Sequence, residues 1–129
     1  MKATGEFDVE LKPLEAWADG DEHTALARLS MEKTYRGDLK ASARGELLTA
    51  RTKTTGAAGY VAVEYVSGSL GEKSGTFVLQ HLGTSHEEKN VLILEVMPGS
   101  GTGDLAGVSG KMAIDIAEDK HFYTFEYEL

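Results

Sequence analysis

Apolar and polar residues alternate along most of this chain with a period of two. That spacing puts successive side chains on opposite faces of a β-strand. In the first run Ala3, Gly5, Phe7, Val9 and Leu11 share one face and Thr4, Glu6, Asp8 and Glu10 share the other; Pro13 is expected to end it. A second strand is predicted over Ala25–Tyr35, with Met31, Lys33 and Tyr35 in one phase. A third runs from Leu39 to about Lys53 with small residues Ala41, Ala43 and Gly45 on its inner face. Small inward residues let a curved sheet bend sharply. Five more strands follow over Gly59–Leu70, Gly75–Thr84, Val91–Met97, Lys111–Ala117 and His121–Leu129, separated by glycine, aspartate, asparagine and serine at turn spacing. Two connections are longer. Leu14–His23 is irregular, with room for a short helical turn at Leu14–Ala18. Pro98–Gly110 is a glycine-rich crossing loop, expected to fold over one end of the sheet with several glycines at positive φ.

Eight strands joined mostly by tight turns make an antiparallel meander whose first and last members would expose unpaired backbone. Closing one onto the other removes both edges. The fold class expected is therefore all-β, an eight-stranded antiparallel up-and-down barrel, with a β-sandwich as the alternative. A barrel of that size is just wide enough to be filled by its own side chains or to hold one small ligand.

The 129 residues are read as a single domain over 1–129. The absence of cysteine excludes a disulfide scaffold, thiolate metal ligation and a cysteine nucleophile. A formal net charge of -8, with no basic stripe, argues against nucleic acid. No apolar run approaches the roughly 20 residues of a membrane span, and the first residues lack the apolar core of a signal peptide. No membrane association and a cytoplasmic location are expected.

Motifs with specific chemistry are weak or absent. Gly101-x-Gly103-x-x-Ala106 fits a dinucleotide fingerprint only if a helix follows, and Gly107 and Gly110 break one. The histidines, His23, His81, His86 and His121, have no zinc-helix spacing. No metal and no cofactor are expected. No nucleophile elbow is present.

The informative positions are polar residues in phase with apolar ones. Lys33 lies between Met31 and Tyr35. Glu64 shares a face with Tyr60, Ala62 and Val66. Gln80 and His81 interrupt the fifth strand, one on each face, and Glu95 falls among Val91, Ile93 and Met97. A charge inside a barrel is costly unless paired, so Lys33 is expected to point inward and approach at least one of Glu64, Gln80 and His81. With the aromatic residues and His121 these give the candidate ligand-contacting set: Lys33, Tyr35, Tyr60, Glu64, Gln80, His81, His121 and Tyr123. Three functions fit. The barrel binds a small, largely apolar molecule; or it is an isomerase or cyclase on such a molecule, with Glu64 or His81 as general base and Lys33 as electrostatic stabiliser; or it is filled and serves as a structural or interaction module.

The segments GYVAVEYVSGSL, SGTFVLQHLGT, MPGSGTGDLAGVSGKM and HFYTFEYEL together resemble a small bacterial domain-of-unknown-function family with an allene-oxide-cyclase-like barrel. The resemblance spans essentially the whole chain. It implies an eight-stranded antiparallel barrel and brings no reaction and no catalytic residue. Finally, strands four to six are apolar on both faces, with Val61, Val63 and Tyr65 set against Tyr60, Ala62 and Val66. A barrel interior takes only one face, so a homo-oligomer, most simply a dimer, is expected to cover the other.

Overall fold

The computed structural model describes residues 1–129. Its eight strands are β1 (Lys2–Leu14), β2 (Thr24–Gly37), β3 (Leu39–Thr52), β4 (Ala58–Leu70), β5 (Lys73–His86), β6 (Lys89–Val96), β7 (Ser109–Ala117) and β8 (Lys120–Glu128). Each pairs antiparallel with its neighbours in sequence, and β1 pairs with β8 over Lys2–Phe7, so the sheet closes into a barrel in the order β1 to β8. The sandwich alternative is thereby set aside. The only helix is the single 3-10 turn Gly103–Leu105, and no helix is long and apolar enough to cross a membrane.

The first connection departs from expectation. No helical turn forms at Leu14–Ala18; instead β1 continues through Pro13 and Leu14, opposite Leu29 and Arg28. A few residues cannot repay the cost of a helix nucleus, whereas the β1–β2 ladder only has to be extended. Proline is tolerated because β1 has a neighbour on one side only at that point.

The two barrel ends differ. At one, the interior is filled by Tyr35, Leu39, Val66, Phe77, Leu79, Leu94, Tyr123 and Phe125, all nearly fully buried. The crossing loop closes that end by inserting Leu105 and Val108 into the same cluster. Its backbone is tied to β5, where Thr102 N donates to Thr76 O at 2.9 Å and Val78 N donates to Ser100 Oγ at 3.0 Å. Gly99, Gly103, Gly107 and Gly110 have positive φ. Gly101 does not; it is required because a Cβ there would sit 2.0 Å from the carbonyl oxygen of Leu105. Tyr123 locks the seam. Its hydroxyl donates to Arg36 O at 2.8 Å and accepts from Leu39 N at 2.9 Å, joining β8 to the β2–β3 turn.

At the other end the barrel opens. β6 and β7 pair only at Leu94–Met112 and Glu95–Lys111, and β8 leaves β1 beyond Phe7. From there Asp8–Leu14 of β1 and Lys89–Ile93 of β6 have one neighbour each. Strands β1 to β6 thus run on past the β7–β8 hairpin as a curved, half-open trough.

Candidate functional site

Strand phase brings Lys33, Tyr35, Glu64 and His81 to the barrel interior between the filled end and the trough. Lys33 pairs in register with Val9 and Ala43, and Glu64 with Gly45 and Leu79. Gly45 lets β3 and β4 approach there, since a Cβ would meet Val63 O at 2.0 Å. Glu64 is fully buried and Lys33 and His81 are 6% exposed. Lys33 Nζ donates to Glu64 Oε1 at 3.0 Å, and His81 Nε2 lies 2.7 Å from the same oxygen. The Tyr35 hydroxyl donates to Glu64 Oε2. Lys33 also lies 4.8 Å from the centre of the Phe7 ring, a favourable place for a cation. No buried side-chain nitrogen or oxygen lacks a partner.

These contacts set the protonation states. Burial pushes the Glu64 carboxyl up, but the His81 hydrogen bond, the Lys33 charge and the Tyr35 hydrogen bond outweigh it and hold the group below its ordinary 4.5. Glu64 is therefore a carboxylate at neutral pH. Burial, and then the neighbouring Glu64 charge, raise Tyr35 well above the usual tyrosine value, so it stays a donor. A carboxylate only accepts, so Nε2 of His81 carries the proton. In neutral imidazole Nδ1 is then an acceptor. Facing it at 3.3 Å is the hydroxyl of Tyr60, itself raised by burial and then by the Glu64 charge.

Tyr60 connects this network to the trough. Its ring lies over Gly83 of β5, where a Cβ would come within 2.3 Å of it. The trough has a volume of about 670 Å³, within the usual range for small-molecule sites. Its walls are mainly Leu11, Ala27, Leu29, Leu47, Tyr60 and Leu92. Small residues at Ala25, Ala27, Ala58, Gly59 and Gly83 leave the space open. Arg51 is the only charged residue that lines it.

Of the eight residues singled out in the sequence, Tyr60 alone lines the trough. Lys33, Tyr35, Glu64 and His81 form the network behind it. Gln80 points outward and is exposed, opposite Val63 and Glu95; β5 is apolar on both sides, so pattern alone does not decide which of Gln80 and His81 enters. His121 packs its ring 5.1 Å from that of Phe7, and Tyr123 holds the seam. Glu95 lies on the outer face. The trough walls Leu11, Leu29, Leu47 and Arg51 are not among the sequence candidates. A signal for two of them exists: continuing the alternate phase of Ala41, Ala43 and Gly45 along the same strand reaches Leu47, Thr49 and Arg51.

No cluster of three or more histidine or acidic side chains is placed to hold a metal ion. A second concavity, about 910 Å³, lies on the outer face over β2 to β5 and is bordered by Arg44, Glu46, Leu48, Val61, Val63 and Tyr65. Its floor reaches Met31, Ala62 and His81, so it backs onto the polar network from the side opposite Tyr60.

Comparison with known proteins places the chain. No curated protein matches it. A solved structure from Shewanella oneidensis MR-1, described as a protein of unknown function from the DUF3224 family, is 46% identical. The match covers 100% of this chain and 97% of that one, with a TM-score of 0.95. The model of the family described as "Protein of unknown function (DUF3224)" matches residues 3–127. On that match, and on the closed eight-stranded barrel shared with the Shewanella protein, this chain belongs to the DUF3224 family.

Proposed function

We propose that the protein binds a small, largely apolar molecule in the trough at the open barrel end. The observation that carries this reading is the contrast between the ends. One is packed to near-complete burial and closed by Leu105 and Val108. The other keeps about 670 Å³ clear between apolar walls. Filling it would need only larger residues at Ala25, Ala27 or Ala58. The isomerase or cyclase reading has less support. Glu64 has no exposed surface and both its oxygens are engaged, so a proton leaving a bound molecule would have to travel through Tyr60 and His81. The test is a fluorescence titration with the neutral probe 1-aminoanthracene. Wild-type protein should bind it saturably, and Ala27→Trp should abolish binding while leaving the far-ultraviolet circular dichroism unchanged. Absence of saturable binding to the wild type would contradict the proposal.

We propose also that the working form is a homodimer packed through the outer face of β3 to β6. There Leu48, Val61, Leu82 and Ile93 stand opposite one another in a single row across four strands. With Val63 and Tyr65 they are 38–57% exposed. Together they leave on the order of 500 Å² of apolar surface, at the upper end of what soluble monomers show. Adding the rim brings the face near the roughly 800 Å² per partner of a stable interface. The rim carries both signs, with Arg28 bonded to Glu46 at 2.6 Å and Arg44 stacked on Tyr65, which suits a self-complementary contact. Light scattering after size exclusion should give a dimer, and Val63→Glu a folded monomer. A wild-type monomer at tens of micromolar would refute it.

A further inference from the structure

We infer that the molecule held in the trough is an anionic amphiphile, its head group taken by Arg51 and its apolar body lying along the walls toward Tyr60. The inference rests on the trough-binding reading above and adds the chemistry of the ligand.

Arg51 is the penultimate residue of β3, in phase with Leu47 and Thr49 on the concave side. Its register partners are Ala25 on β2 and Ala58 on β4, neither of which can pair with a guanidinium. Arg28 bonds Glu46 and Arg36 bonds Asp8 and Glu6, but Arg51 takes part in none of the molecule's ion pairs. It is left with its full set of donors at the mouth of an apolar cavity, in a chain where acidic residues outnumber basic ones 21 to 13. A guanidinium matches the geometry of a carboxylate, sulfate or phosphate monoester better than that of any neutral group. The net charge of -8 opposes an anion at long range. At physiological ionic strength that field is screened beyond about 8 Å, which leaves Arg51 as the charge in contact. Asp21 of the neighbouring loop makes no ion pair with it; the Asp21 carboxylate is turned to its own loop, accepting from His23 N and Thr24 N at 2.8 and 2.7 Å. The opposite polar group, Tyr60, is neutral. Its hydrogen bond to His81 makes it suited to one short polar contact and not to a second charge.

The test uses three probes with the same ten-carbon chain: decanoate, decanol and decyltrimethylammonium. Each is titrated by calorimetry below its micelle concentration, at 0.15 M salt, into wild-type protein and into Arg51→Gln and Arg51→Lys. The lone tryptophan gives a second readout, because Trp17 Nε1 donates to Thr49 O at 3.4 Å on the trough-bearing strand. Decanoate should bind wild-type protein at least ten-fold tighter than decanol, and the cationic probe weakest. Arg51→Gln should bring decanoate to the level of decanol without changing decanol itself, and Arg51→Lys should keep part of the preference. Equal affinities for decanoate and decanol, or a preference that survives Arg51→Gln, would overturn the head-group assignment while leaving the trough as a binding site. If none of the three probes binds the wild type, the trough reading falls and this inference falls with it.

Discussion

Replacing Glu64 by glutamine tests the buried network most severely. The substitution keeps shape and removes one negative charge. It leaves the Lys33 ammonium, 6% exposed, without an anion; its remaining neighbours are the Tyr35 hydroxyl at 3.4 Å and the Phe7 and Tyr35 rings. Removing one partner of a buried pair costs about 3–5 kcal/mol, because a desolvated charge is left uncompensated. For a chain of this length that corresponds to a fall in Tm of roughly 10–20 °C. Lys33→Met should cost less. The carboxylate keeps His81 and Tyr35 as donors. The double variant should be less destabilised than the sum of the two. Urea unfolding followed by circular dichroism gives all three values with one m-value as control. The cycle should return a coupling of at least ~2 kcal/mol. A Glu64→Gln protein within ~1 kcal/mol of wild type would refute the reasoning, since it would mean that Lys33 is not held in a desolvated site that needs an anion.

Three further outcomes follow. Glu64 has a folded pKa below its ordinary 4.5, so its contribution is complete above that value and is lost as pH falls through the folded pKa; the stability gap between wild type and Glu64→Gln should be constant from pH 7 to about 5 and shrink in stronger acid. Tyr123→Phe leaves the Leu39 amide without its acceptor and should cost about 1–3 kcal/mol, read by urea midpoint. Gly101→Val, whose Cβ would meet the Leu105 carbonyl, should lower Tm by several degrees through displacement of the loop cap, and an unchanged Tm would show that the cap is not rigid.

Strand phase made much of this arrangement legible. Lys33 stands in alternation with apolar neighbours on a strand whose other face is polar, so its inward direction followed from period; Glu64 lies on a strand apolar on both faces, and only the requirement that a buried charge be paired brought it toward Lys33. The closing of β1 on β8 was legible from the apolar and charged faces of the two strands. The glycine loop was legible as a cap because little else calls for such density. The choice between Gln80 and His81 was not. Both stand among apolar residues, because the outer face of β5 continues an apolar row set by Leu48, Val61 and Ile93 on other strands. The trough was also hidden. It exists because β6 and β7 meet at only two register pairs, a property of how far paired strands overrun one another and not of either strand's composition. Arg51 reads in sequence as an ordinary strand-end charge beside a polar loop. Its phase continues that of Ala41, Ala43 and Gly45, but only the β2–β3 and β3–β4 registers, both unbroken from Ala41 to Arg51, carry that phase to the strand end and onto the concave face.

The account turns on the open end of the barrel being a binding site and the closed end being core. A methyl-resolved NMR titration of alanine- and leucine-labelled protein with decanoate addresses both ends at once. Ala25, Ala27, Leu29, Leu47 and Leu92 line the trough, whereas Leu39, Leu79 and Leu105 are packed in the filled end. The account predicts saturable shifts confined to the first set, with the second set unmoved. Shifts spread equally over both sets, confined to Leu48 and Leu82 on the outer face, or absent at saturating probe would contradict it.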